Sequence, residues 1–206
     1  MHPFATERAR ARLQAAADAV ERESSIEVVV AVRPQSMSLV HADLIGGAVA
    51  AFAVLLFTLF APPEFSLVAI ALATAVMFVG GMLGMRSLPA VRRMIVGERA
   101  LRDAVTMAAR ACFVELGVHR TSGRTGVLVY VSLAEARVAV VADLGVPAAM
   151  PQAYELLARH VEAIAEAGLE EADVERLAAA IEGFGAGARH NLPRAVNDVD
   201  ELEEWQ

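Results

Sequence analysis

The sequence predicts an α/β protein: a small mixed β-sheet covered by helices, with a two-helix transmembrane hairpin inserted after the first strand. Three observations carry this. Two apolar runs, Leu44 to Ala61 with 18 residues and Phe65 to Met85 with 21, meet at Pro62-Pro63-Glu64 with no charge inside either. Three short runs rich in β-branched residues, around Val29, Val129 and Val140, have strand length and strand composition. Elsewhere apolar residues recur at spacings of three and four, the period of helices that cover a sheet.

From Thr6 to Glu23, Ala9, Leu13, Ala16 and Val20 draw one apolar stripe while Arg8, Arg12, Asp18 and Arg22 point elsewhere. This is an amphipathic helix. Ser24-Ser25 interrupts it, and Ile26 to Val32 follows, too short for a packed helix and too apolar for an edge, so it is read as a central strand. Pro34 ends the strand because it lacks a ladder donor.

At the helical rise the two apolar runs reach about 27 and 31 Å, against a hydrocarbon core of roughly 30 Å. In hydrocarbon a helix is the only way for single segments to satisfy their backbone groups. Gly80 and Gly84 form a small-xxx-small pair that would let two helices approach closely, first within the hairpin and otherwise across a dimer. Leu101, Ala104, Val105, Ala108, Cys112 and Leu116 then mark a second amphipathic helix closed by Gly117. Gly126 to Ser132 and Arg137 to Ala142 are two strands joined tightly around Ala134 and Glu135, hence antiparallel. Leu157, Val161 and Ile164 predict a helix closed by Gly168; Val174, Leu177, Ile181 and Phe184 predict another closed by Gly185. Residues 1–33 and 98–193 thus make one domain, 34–97 a membrane insertion, and 194–206 a tail that is acidic from Asp198 to Glu204 and expected to be mobile.

The net charge of -7, without any basic stripe, argues against nucleic acid as a partner. All 18 basic residues are arginine, and Cys112 is the single cysteine, so no intrachain disulfide forms. The first apolar stretch begins only at Leu44, which predicts no cleavable signal and leaves targeting to the hairpin. Arg33, Arg86, Arg92 and Arg93 flank its outer ends while its tip has no basic residue. This predicts an integral inner-membrane protein with both termini and the soluble domain cytoplasmic.

Phe113 to Thr121, running into Arg124-Thr125-Gly126-Val127-Leu128-Val129-Tyr130-Val131-Ser132-Leu133 and then Arg137 to Gly145, resembles the TPM domain family. That family is named for thylakoid-lumen, photosystem II repair and acetylcholine-receptor modulator proteins, and the likeness is to its bacterial branch of small membrane proteins. Ser25 to Val30, Ala42-Asp43 and Asn191-Leu192-Pro193 extend it over nearly the whole chain. The resemblance implies a mixed sheet between helices with a hairpin after the first strand. For some relatives it implies a calcium site at the strand ends or a weak acid phosphatase activity. Relatives carry Gly-x-Gly and an acidic residue after the third strand, whereas this chain reads Asp143-Leu144-Gly145-Val146-Pro147, so Asp143 alone carries over as a metal ligand.

Read from the residues, Asp143 ends a strand, which is where ligands meet open α/β sheets, although an aspartate there more often caps its own turn. His119, His160 and His190 lie on separate elements without short ligand spacing. Cys112 falls on an apolar stripe and reads as a small core residue, and Ser132 lacks a nucleophile-elbow pattern. Arg120, Arg124 and Arg137 are either solvated charges or a grip for a phosphate or an anionic head group. No convergent catalytic set is legible. The expected function is a non-enzymatic, membrane-anchored interaction module whose partners are the bilayer and a protein or second copy; the alternative is a phosphatase-like hydrolase, calcium-dependent by resemblance.

Overall fold

Helix α1 (Glu7–Glu21) starts at Thr6, whose hydroxyl accepts the Ala9 N–H at 3.1 Å and so satisfies one orphan donor of the first turn. Its stripe of Leu13, Ala16, Ala17 and Val20 is fully buried. Two compact units are present in this computed structural model, Met1–Ser36 with Arg102–Gln206 and Met37–Leu101. The described residues are 2–194; the predicted acidic tail lies outside them.

In the first unit, β1 (Glu27–Arg33) pairs parallel with β2 (Gly126–Ser132), and β2 pairs antiparallel with β3 (Arg137–Ala142). The sheet is therefore mixed. Helix α5 (Glu98–Glu115), which belongs to this unit from Arg102 onward, packs Val105, Ala109, Cys112 and Phe113 against Val29, Ala31, Leu128 and Tyr130. The opposite face, with Val28, Val30, Val127, Val129 and Val131, lies under α1, α7 (Pro151–Ala167) and α8 (Glu171–Asn191). Burial on both faces is why β1 and β2 are continuous apolar runs rather than alternating ones. Each such fully buried valine or leucine contributes about 1.5–3 kcal/mol.

The strand order β1-β2-β3 overturns one expectation, for β1 is an edge strand and β2 is the central one. Apolar composition reports what covers a strand's faces, not what pairs with its sides. The outer edge of β1 is covered by other means. The buried carboxylate of Glu21 accepts the Val28 N–H at 2.8 Å, the Leu192 carbonyl accepts the Ser25 N–H at 3.0 Å, and Ser24 forms an isolated bridge to Pro193.

Gly117 and Gly168 close α5 and α7 in left-handed conformation, as the sequence predicts. Gly185 does not close α8, which continues to Asn191. It lies inside the helix against α1, where a Cβ would meet Val20 Cγ2 at 2.8 Å, so its smallness serves helix packing. A short helix, α6 (Gly145–Ala149), follows β3 and was not legible in the sequence.

In the second unit, α2 (Val40–Phe60) and α3 (Leu67–Met85) form the hairpin, each with a mean hydropathy of 2.2. Both are long and apolar enough to cross a membrane. Large apolar side chains stand outward along them, with Phe57, Phe60, Leu67 and Val68 all exposed. Thr58 and Thr74 return their hydroxyls to the Val54 and Ile70 carbonyls at 3.0 and 2.8 Å, which leaves no free donor on those faces. The helix starts four residues before the apolar run. The reason is Asp43, buried in the first turn of α2 and ion-paired to Arg92 at 2.9 Å and Arg86 at 3.4 Å. Arg92 sits on α4 (Pro89–Val96), a short helix begun by a proline at its first turn.

The glycines that let α2 and α3 touch are not the pair the sequence singles out. Cβ atoms on Gly80 or Gly84 would meet nothing within 4 Å. At Gly81 a Cβ would meet Ala50 Cβ at 2.5 Å and Gly46 O at 2.7 Å, and at Gly47 it would meet Phe78 O at 2.7 Å. The hairpin seam is therefore Gly46, Gly47 and Gly81, while Gly80 and Gly84 face away from α2.

Candidate functional site

Because β1 and β2 run parallel, their carboxyl ends lie together, and the chain leaves β1 there through Pro34 and Ser36. A buried polar network forms at that end. The Glu135 carboxylate, in the turn between β2 and β3, accepts the Ser36 N–H on both oxygens at 3.1 Å and takes a short hydrogen bond from the Ser132 hydroxyl. Ser36 Oγ donates to Ser132 Oγ at 2.7 Å and lies 3.1 Å from Tyr130 Oη. Glu135 is only 1% exposed. A buried carboxylate satisfied by amide and hydroxyl donors fixes three chain segments to one another. It contains no imidazole to activate Ser132, and both of its oxygens are already engaged.

Beside it, burial raises the pKa of the Cys112 thiol, with a hydrogen bond from Arg33 opposing part of the rise. Less thiolate at neutral pH makes this cysteine a packing residue, in keeping with its place against Leu128 and Tyr130. Tyr130 and Tyr154 are raised by burial as well.

Asp143 lies at the opposite end of the sheet, since β3 runs antiparallel to β2 and the Asp143 N–H bonds the Gly126 carbonyl at 2.9 Å. Its position at a strand's end is thus not the carboxyl end of the parallel pair. The buried carboxylate holds the guanidinium of Arg124, with Nη2 at 3.2 Å and Nε at 3.3 Å from Oδ1, and accepts the Leu144 N–H at 2.7 Å. These residues do not fit calcium. A hard cation needs six to eight oxygen ligands, and here one carboxylate is shared between an arginine and its own turn. Among the described residues no three His, Cys, Asp or Glu side chains gather as a metal set. His119 packs beside Phe113, with ring centroids 6.4 Å apart, while His160 and His190 are exposed on α7 and α8.

The three arginines singled out in the sequence separate. Arg124 pairs with Asp143, and Arg120 folds against Gly117. Arg137 lines a groove of about 440 Å³ along the outer side of β3, flanked by α5 and α7. Arg102 and Arg110 on α5 and Tyr154, Val161 and Glu162 on α7 complete it, and Arg102 reaches Glu162 at 2.7 Å. Sequence reasoning missed Glu135, Ser36 and this groove. The Ser132-x-x-Glu135 spacing across a tight turn was the one available signal, a carboxylate set among apolar residues.

Fold and site together define a mixed three-stranded sheet between helices, in a chain that also carries two long apolar helices between its first and second strands. The chain matches no protein-family model and no curated protein. It is similar in fold to the BA42 protein of the psychrophilic bacterium Bizionia argentinensis, solved by NMR, with a TM-score of 0.56 and 15% identity over 98% of this chain and 92% of that one.

Proposed function

We propose that this chain is a membrane-anchored, TPM-like interaction module, in which the α2–α3 hairpin holds the mixed-sheet unit at the inner membrane for assembly with a protein partner. The observation that carries it is the hairpin itself: 21- and 19-residue apolar helices joined at Gly46, Gly47 and Gly81, with their large side chains turned outward. Water solvates such a surface poorly, whereas lipid does so at no cost. The mixed sheet between helices and the residues from Phe113 to Gly145 support the family reading, and the outer edge of β3, which pairs with no strand among the described residues, supports docking. The hydrolase alternative rests on resemblance alone, because Asp143 is committed to Arg124.

Short-range crosslinking in native membranes is expected to trap a discrete partner or a second copy. Recovery of the monomer alone across several chemistries would overturn the module reading.

Orientation follows from charge: Arg86, Arg92 and Arg93 sit at the hairpin's base, while Pro62-Pro63-Glu64 at the tip carries no basic residue. Both termini are therefore placed in the cytoplasm. A reporter active only in the cytoplasm is expected to work at either end, and a periplasm-active reporter working at the C-terminus would reverse the assignment.

A further inference from the structure

The second unit carries its positive charge at one end. At the hairpin's base, residues 37–43 and 86–101 hold four arginines, Arg86, Arg92, Arg93 and Arg99, against two acids, Asp43 and Glu98, although the chain as a whole has a net charge of -7. The tip between α2 and α3 has Glu64 alone. Asp43 does not neutralise the cluster. Arg92 ion-pairs with it through Nε at 2.9 Å and donates to it from Nη2 at 3.2 Å, whereas Arg86 gives it only Nε, at 3.4 Å, and stays 58% exposed. Arg93 makes no ion pair among the described residues. The Arg92 anchor also sets where α4 lies. Leu88 leaves helical geometry, with φ -119° and ψ 65°, and Pro89 begins a new helix whose Arg92 returns it to the first turn of α2. On α4, Ala90, Val91, Met94 and Ile95 form one apolar arc, bordered by Arg92 on one side and Arg93 on the other. The arc is open to its surroundings: Met94 is 76% exposed, and Leu88, which leads into it, is 52% exposed.

We propose that α4 is an interfacial helix lying among the lipid head groups, and that Arg86 and Arg93 there hold anionic phospholipid by its phosphate. The inference rests on the hairpin crossing a bilayer, the reading given above. Helix α3, at 19 residues and about 28 Å, uses up a hydrocarbon core of roughly 30 Å by Met85. Its end therefore delivers α4, which starts at Pro89, to the level of the head groups. At that depth an apolar arc meets acyl chain, and an arginine beside it reaches phosphate while its stem stays in apolar surroundings. Free phosphate would use the arginines and leave the arc in water, so the two features together select a lipid. The excess of positive charge selects an anionic lipid over a zwitterionic one, by roughly tenfold or more for two arginines at the surface.

The test uses the full chain carrying Cys112→Ala, reconstituted in vesicles of equal phosphatidylglycerol and phosphatidylcholine. A nitroxide is attached to a cysteine introduced by Met94→Cys or, as the reference, by Phe52→Cys within α2; both positions are exposed. Relaxation by oxygen against a nickel chelate gives the depth of each label. Both are expected in apolar surroundings, with position 94 the shallower. Native mass spectrometry of the chain extracted from the same vesicles is expected to retain phosphatidylglycerol over phosphatidylcholine by roughly tenfold. The double variant Arg86→Gln with Arg93→Gln is expected to lose that preference, and Arg86→Lys with Arg93→Lys to keep it. Arg92 stays in place in both because it holds Asp43. A label at 94 in water with the label at 52 in hydrocarbon overturns the interfacial helix and leaves the hairpin standing; both labels in water overturn the membrane reading as well. Equal retention of the two lipids, or a preference unchanged in the glutamine variant, overturns the lipid assignment. So does displacement of the lipid by excess inorganic phosphate, which assigns the arginines to free phosphate. Recovery of monomer alone in crosslinking leaves all of these outcomes unchanged, so the two readings fail separately.

Discussion

Gly81→Leu is expected to break the hairpin, whereas Gly80→Leu, one residue away, leaves it intact. A Cβ at Gly81 would lie 2.5 Å from Ala50 Cβ, 2.7 Å from the Gly46 carbonyl and 3.2 Å from Gly47 Cα. Two of these neighbours are backbone atoms, so no rotamer change relieves the clash and the helices must separate. Separation also loses the contacts of Gly46 with Met85 and of Gly47 with Phe78. Overpacking a close seam costs typically 1–3 kcal/mol, and a four-carbon side chain against backbone belongs at or above the top of that range, about 3 kcal/mol. A Cβ at Gly80 meets nothing within 4 Å and should change stability by less than about 0.5 kcal/mol. Thermal denaturation in a mild detergent, followed by the solvent accessibility of a cysteine placed in the seam, measures both. Equal behaviour of the two variants would show that the seam is not where the structure puts it.

Replacing Glu135 by alanine should be the most damaging single change in the sheet-bearing unit outside its apolar core. The side chain is buried, and its two oxygens take the Ser36 amide and the Ser132 hydroxyl. Hydrogen bonds to a charged acceptor contribute about 1.5–3 kcal/mol each, and the orphaned Ser36 amide adds a desolvation cost. The Ser132 hydroxyl keeps its bond with Ser36, which limits the loss, so an expected total is about 2–4 kcal/mol. For a unit of this size that lowers Tm by roughly 6–12 °C. Glu135→Gln retains one acceptor oxygen and is expected to lose about half as much. Glu155→Ala is the control, since its pair with Arg159 is exposed on both sides and such pairs contribute about 0–1 kcal/mol. Similar melting of the alanine and control variants would mean that the network does not hold the strand ends together.

The exit of the chain from β1 explains the size of this effect. Pro34 has no ladder donor, yet its carbonyl accepts the Ala134 N–H at 2.9 Å, and the Arg33 carbonyl accepts the Leu133 N–H at 3.0 Å. The backbone therefore still follows the β2–β3 turn at Pro34, one residue beyond β1. Ser36 then closes the turn through Glu135. Reading Pro34 as a full stop was right for β1's ladder and silent about this continuation, because proline removes a donor and leaves an acceptor.

Several features were legible from local sequence because their causes are local. The hairpin needs only two uncharged apolar runs of membrane length. The ends of β2 and β3 follow from β-branched runs bounded by turn residues, and Gly117 and Gly168 follow from the left-handed backbone a helix end requires. Asp143 was visible as an acid at a strand end, but its neighbour was not, since Arg124 lies 19 residues earlier in the chain.

By itself, then, the sequence determined which segments are apolar enough to leave water, which are strands, and where most helices stop. Those properties are set by each segment's own composition and period. Only the tertiary structure decided that β1 is an edge, that Gly185 packs against Val20 instead of ending α8, that Gly81 rather than Gly80 makes the hairpin seam, and that Glu135 is bound to Ser36. Each of these depends on which residue arrives from elsewhere to occupy a particular few ångströms. Period and composition specify the face a residue presents, and chain topology alone specifies what meets it.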